Sequence, residues 1–153
     1  MKTVREFMND DVIHFDPDDS IFQVAEIFSE HDISGAPVTK NGIVIGVISE
    51  SDIVKYMSFK LGRPSPPSTS MSLLIVSFIK DNIQIKSQLK KLSNIKIKNF
   101  MSKRVVSIHS GASLLEAASV MEKNDINRLP VIDDGILVGI LARADLIKAL
   151  ISY

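Results

Sequence analysis

Gly46-Val47-Ile48-Ser49-Glu50-Ser51-Asp52-Ile53 returns 93 residues later as Gly139-Ile140-Leu141-Ala142-Arg143-Ala144-Asp145-Leu146. In both, an apolar run closes on a small residue and an acid three positions later, as where a strand hands over to a helix. The match extends on either side. Residues 4–57 align with 97–150 without a gap, with 14 identities in 54 positions. Phe7-Met8 falls on Phe100-Met101, Asp32-Ile33 on Asp125-Ile126, Pro37-Val38 on Pro130-Val131, and Gly42-Ile43 on Gly135-Ile136. An internal duplication of this regularity fixes the architecture before any single motif does.

Each copy reads as strand, helix, strand, strand, helix. Val12–Phe15 and Val105–Ile108 are short runs rich in β-formers. Ser20 with Gln23, and Ser113 with Glu116, have the spacing of a capping box. Behind them Ile21, Val24, Ala25, Ile27 and Phe28, and Leu114, Ala117, Ala118, Val120 and Met121, recur at helical spacing. Asn41-Gly42 and Asp134-Gly135 lie between apolar runs and suit a two-residue hairpin turn. A second helix starts near Ser49 and Ala142.

The fold class predicted is α+β, two βαββα repeats packed with pseudo-twofold symmetry and a cleft between them, with a helical insert. The repeats take residues 1–58 and 97–153. Between them, residues 59–96 hold a Pro/Ser loop (64–70) and then apolar and Lys-rich sequence read as helix, with a strand over 83–85 as competitor.

The chain has 153 residues, 18 Lys+Arg against 18 Asp+Glu, no Cys, no Trp and 45% hydrophobic residues. Zero cysteine excludes disulfides, cysteine nucleophiles and thiolate metal sites. No run approaches the ~18–20 apolar residues needed to cross a bilayer, and the amino end has no apolar signal core. The sequence therefore reads as soluble and cytoplasmic, with no membrane partner. Charge is unevenly spread, at −7 over 1–58, +9 over 59–104 and −2 over 105–153. The basic stretch, with Lys90, Lys91, Lys96 and Lys98, is either a solubilising face complementary to the acidic first copy or a contact for nucleic acid or an acidic partner.

His14, His31 and His109 are scattered and place no metal or catalytic centre. Asp16-Pro17-Asp18-Asp19 lacks the spacing of a calcium loop and reads as a turn into the helix capped by Ser20. The expectation is no catalytic residue, no metal and no cofactor. Asp52 and Asp145 carry more chemistry. An acid in the first turn of a helix, at the end of a strand, can accept bonds from two ribose hydroxyls, and a neighbouring Ser with free helix amides can help hold a phosphate. Ser49-x-x-Asp52 is equally a helix cap. The second copy keeps Asp145 without the cap serine, so a reciprocal cap does not explain that acid, whereas a dipole interaction still does.

With Ser34-Gly35-Ala36-Pro37-Val38 and Asn127-Arg128-Leu129-Pro130-Val131 upstream, the repeated Gly-apolar-apolar-Ser/Ala-x-x-Asp pattern resembles a tandem pair of CBS domains, a Bateman module. The resemblance implies a non-enzymatic regulatory module binding an adenosine-containing ligand (AMP, ADP, ATP, S-adenosylmethionine or methylthioadenosine) in the cleft between repeats. By motif position, Asp52 would hold the ribose and Ser49 the ribose or phosphate. Ile33, Ser34 and Gly35, with Val47 and Asp19, would meet the adenine. Arg128, beside Asn127, would reach the phosphates. A second site of Asp145, Ile126, Ile140 and Arg143 is expected to be weaker, because it has Ala142 for serine and Gly35 at the opposite phosphate position. It would be empty, or selective for an uncharged or cationic tail. The family resemblance further implies a homodimer and an unidentified protein effector. The alternative is an interaction module with vestigial pockets, contacting nucleic acid or an acidic partner through the basic 80–104 segment.

Overall fold

The computed structural model describes residues 1–61 and 94–152. The predicted loop and insert helix, with the competing strand over 83–85, lie outside the described residues. In chain order the elements are α1 (Val4–Phe7), α2 (Ile21–His31), β1 (Gly35–Lys40), β2 (Ile43–Ser49), α3 (Glu50–Leu61), a 3-10 turn (Ile97–Asn99), α4 (Leu114–Asn124), β3 (Arg128–Asp133), β4 (Ile136–Ala142) and α5 (Arg143–Ile151).

Local chemistry sets most of these boundaries. Ser20 Oγ accepts the Gln23 amide at 3.2 Å while Gln23 Oε1 accepts the Ser20 amide at 2.9 Å. Ser113 and Glu116 repeat the arrangement at 3.1 and 2.9 Å. At the other end, both helices stop on an aspartate in the left-handed conformation, Asp32 (φ 50°) and Asp125 (φ 52°). A short polar side chain tolerates that region better than most, which accounts for an acid identical in both copies. The hairpins turn on Asn41-Gly42 (φ 52° and 80°) and Asp134-Gly135 (φ 51° and 82°), the paired positive angles of a twist-matched two-residue turn.

One predicted element is much reduced. Val12–Phe15 and Val105–Ile108 form no strands. Each contributes a single parallel bridge, Phe15 to Val38 and Ile108 to Val131. A β-rich tetrapeptide with one ladder contact has too few backbone partners to form a strand.

The compact units do not follow the sequence copies. Unit 1 comprises Met1–Ile13, Thr39–Val44 and Arg104–Tyr153, and unit 2 comprises His14–Val38 and Ile45–Lys103. Each copy's leading segment therefore packs on the body of the other. In unit 1, the Val4 amide donates to Ala112 O at 2.9 Å, the Arg5 amide donates to Ser110 O at 2.9 Å, and Asn9 and Ile140 exchange both backbone bonds. Unit 2 repeats this 93 residues on, with Ile97 to Asp19 at 2.9 Å, Lys98 to Pro17 at 3.1 Å, and Val47 and Ser102 exchanging both bonds. The repeated glycine of each second strand is needed here. A Cβ on Gly46 would stand 2.7 Å from Ser102 O and 2.9 Å from Met101 Sδ, and one on Gly139 would stand 2.5 Å from Met8 Sδ.

The core of unit 1 gathers Val4, Ile108, Ala117, Met121, Leu129, Val131 and Leu141. Unit 2 buries Ile21, Val24, Phe28, Ile48, Ile53 and Ile97, with the Phe15 and Phe28 rings edge-to-face at 5.8 Å. In unit 1, β3 and β4 pair antiparallel from Arg128–Ala142 to Asp133–Ile136, with an irregularity at Val131/Ile132. The tip of the first hairpin belongs to the same unit, where Ile43 pairs with Ile136. The four strands run β1-β2-β4-β3.

Candidate functional site

The end of β2 delivers Ser49 as the residue before α3. Asp52 Oδ2 accepts the Ser49 amide at 2.9 Å and the Ser49 hydroxyl at 3.0 Å. Ser49 Oγ in turn lies 3.3 Å from the Asp52 amide. Both readings of Ser49-x-x-Asp52 therefore meet in one carboxylate. Oδ2 caps the helix, and among the described residues no side chain or amide engages Oδ1. The acid is half-buried.

The rest of unit 2's predicted residues surround the same strand ends. The Glu50 amide donates to Ser34 O at 2.9 Å, tying the segment before β1 to the mouth of α3. The Ile33 amide closes on Phe28 O at 3.1 Å. Val47 spends its amide and carbonyl on Ser102, which leaves its half-buried side chain as the part that can face a ligand. Asp19 closes the turn expected of Asp16–Asp19, its Oδ2 accepting the Asp16 amide at 2.8 Å.

Asn127 and Arg128 belong to unit 1, together with Ile126, Ile140, Arg143 and Asp145. There the Arg143 amide donates to Asn127 O at 2.8 Å, the counterpart of Glu50 and Ser34. The sequence argument excluded a reciprocal cap for Asp145, and the structure gives it the one-sided backbone half of such a cap. Its Oδ2 accepts the Ala142 amide at 2.9 Å. The loss of serine removes only the hydroxyl half of the box, because the other half needs nothing but a backbone amide. Asp145 Oδ1 stands 3.7 Å from Lys148 Nζ, a partner the sequence analysis passed over although its three-residue helical spacing was visible. The Arg143 guanidinium donates to Ile126 O at 3.3 Å.

A denser polar cluster in unit 1 was also missed. Asp133 Oδ1 accepts the Ser110 amide at 2.9 Å, and Oδ2 accepts the Ser110 hydroxyl at 2.6 Å. Arg5 Nη2 reaches Ser110 Oγ at 2.6 Å and Asp133 Oδ2 at 3.2 Å, and His109 Nε2 lies 3.2 Å from Asp133 Oδ1. The Ser110 hydroxyl and amide hold the Asp133 carboxyl below its usual range, with smaller contributions from His109 and Arg5. This cluster fastens the leading segment to the second copy. His109 sits beside the serine's acid rather than on the serine, so no nucleophile–base pair is formed. In unit 2, Lys96 and Lys98 both stand 3.2 Å from Asp18, and Lys98 followed by Lys96 lowers that carboxyl's pKa. Two of the basic-stretch lysines thus meet the acidic first copy. Among the described residues no three His, Asp or Glu converge as a metal centre requires, and no helix is long and apolar enough to cross a membrane.

Comparison with known proteins identifies the family and the fold. The CBS domain family model matches twice, at residues 4–59 and 97–152. An uncharacterized protein of Methanocaldococcus jannaschii, MJ1426, is 36% identical over 97% of this chain and 90% of its own length. The crystal structure of CBSX2 in complex with AMP has a TM-score of 0.69 at 23% identity, covering 98% of this chain and 96% of that one. The CBS domain pair of protein MJ0100, in complex with 5′-methylthioadenosine and S-adenosyl-L-methionine, has a TM-score of 0.68 at 20% identity, covering 97% and 99%. The two matched stretches coincide with the two sequence copies, and the chain belongs to the CBS domain family as a tandem pair.

Proposed function

We propose that the protein is a non-enzymatic sensor of an adenosine-containing ligand, held first by the half-site around Asp52. The observation that carries this reading is the divided carboxylate. Oδ2 is fixed by Ser49, so the residue is already oriented, and Oδ1, which no described residue engages, would accept a ribose hydroxyl. An acceptor preorganised by its own cap loses little freedom on binding. Support also comes from the ligands of two proteins sharing the fold, AMP for CBSX2 and methylthioadenosine with S-adenosylmethionine for MJ0100. Ser49 would assist at the sugar or phosphate. Ile33, Ser34, Gly35 and Val47 would meet the base along with Asp19, and the motif positions of Arg128 and Asn127 would give them a phosphate. The half-site of Asp145, Ile126, Ile140 and Arg143 is the weaker one.

Binding would bias an equilibrium that a separate protein effector reads, in the cytoplasm. A homodimer through the helices is supported by Leu115, Leu150 and Ile151 on α4 and α5, which are 80%, 68% and 81% exposed.

A thermal-shift panel of AMP, ADP, ATP, S-adenosylmethionine, methylthioadenosine and NAD tests the reading. A ligand present at a hundred times its Kd stabilises the fold by about 2.7 kcal/mol, and at least one should raise the midpoint. Arg128→Ala should weaken AMP far more than adenosine, by an amount that shrinks in high salt. A panel without any shift, with nucleic-acid binding lost on neutralising Lys90, Lys91, Lys96 and Lys98, would replace the sensor with the interaction module.

A further inference from the structure

The two copies share their backbone at the helix mouths and differ there in side chain. The amides of Glu50 and Arg143 donate to Ser34 O and Asn127 O at 2.9 and 2.8 Å, so both side chains leave the chain at matching points. One is an acid and the other a base. The Arg143 guanidinium reaches back to the carbonyl of Ile126 at 3.3 Å. A carboxylate has no proton to give, so Glu50 cannot make the corresponding contact with Ile33. The neighbouring acids differ in the same sense. Both oxygens of Asp145 face a donor, Ala142 N at 2.9 Å and Lys148 Nζ at 3.7 Å. Asp52 has only Oδ2 engaged among the described residues.

We propose that Arg143 is the specificity-determining residue of the second half-site, acting as an internal plug. Its guanidinium holds the Ile126 carbonyl that the amino group of an adenine-type base would otherwise reach, so the half-site beside Asp145 stays empty while the one beside Asp52 fills. This rests on reading the half-sites as adenosine-binding. An incoming base must displace a charged donor, and the carbonyl is satisfied before and after, so the exchange adds nothing to affinity. Beside Asp52, among the described residues, no such donor has to be displaced. The difference of one hydrogen bond amounts to about tenfold in Kd.

Calorimetry with methylthioadenosine tests the plug, because that ligand has no phosphate for a guanidinium to attract. The native protein should bind one equivalent per chain. Arg143→Ala should bind two, the new event at least about tenfold tighter than any second event in the native protein. Arg143→Met, which keeps an unbranched apolar stem without the guanidinium donors, should do the same. Adding Asp145→Ala should abolish the new event alone, and adding Asp52→Ala the original event alone. One equivalent in both native protein and Arg143→Ala overturns the plug and leaves the sensor standing. Weaker binding in Arg143→Ala also overturns it, making the guanidinium a ligand contact. No binding in either overturns the plug and the sensor together.

Discussion

Replacing Asp52 separates the two tasks of one carboxylate. Oδ2 accepts the Ser49 amide at 2.9 Å and its hydroxyl at 3.0 Å. Asp52→Ala removes those acceptors at a half-buried helix entrance, and loss of a cap of this kind costs about 0.5–2 kcal/mol. The same substitution removes Oδ1, the proposed ribose acceptor. A charge-assisted hydrogen bond contributes about 1.5–3 kcal/mol, or about 10–150-fold in affinity. Asp52→Asn divides the effects. Its amide oxygen can take over the cap, so stability should stay within a few tenths of a kcal/mol (~0.3) of the native value, while the charge and one acceptor are gone and affinity falls. Asp145→Ala is the matched control, since its carboxylate also caps a helix through the Ala142 amide at 2.9 Å. It should lose stability like Asp52→Ala yet keep tight binding at the first half-site. Urea denaturation reads the first quantity and calorimetry with AMP the second. Native-like affinity in Asp52→Asn would refute the ribose assignment. Undiminished stability in Asp52→Ala would refute the cap.

Gly46→Ala places a methyl group 2.7 Å from the Ser102 carbonyl and should destabilise by about 1–3 kcal/mol in denaturant, without rescue by Met101→Ala. Gly139→Ala meets chiefly the flexible Met8 side chain, with Sδ at 2.5 Å, so Met8→Ala should recover part of its loss. The Asp133 and Asp18 carboxyls titrate below their ordinary values. Their contribution to stability is therefore full above the unfolded value of about 3.9 and is lost as pH falls through the lower folded value. Melting midpoints of Asp133→Asn should change less than those of the native protein below about pH 4, and parallel curves would remove Asp133 from the account. Leu150→Glu together with Leu115→Glu should convert a dimer to a monomer in sedimentation analysis, with the melting curve of each unit's secondary structure retained.

How much of this was legible in the sequence follows from distance along the chain. The caps at Ser20 and Ser113 and the turns at Asn41-Gly42 and Asp134-Gly135 are contacts within three or four residues, and each formed where the residue types placed it. The exchanged leading segments were not read, because Val4 meets Ala112 and Arg5 meets Ser110 over a hundred residues away. A signal did exist. Phe7-Met8 and Phe100-Met101 repeat together with Gly46 and Gly139, and the structure seats each methionine on the other copy's glycine. At the candidate site, residue choice at 49 and 52 was readable. The backbone half of the Asp145 cap was not, because no residue type marks a bare amide. Arg143 was placed in the second site by motif position, but its reach to Ile126 depends on a carbonyl that sequence does not orient.

The crossed seating of the leading segments has a consequence for how the chain can be divided. A fragment of 1–58 would offer α1 to a body it no longer carries, and its own body would lack the bridge that Ser102 supplies to Val47. Neither half is a complete folding unit, yet two separately expressed halves hold complementary clasps and should reassemble when mixed. A lone ancestral copy would have met the same need by lending its front end to a twin. Joining the two copies in one chain turns an encounter between molecules into a tethered one, raising the effective concentration of each clasp to the order of millimolar.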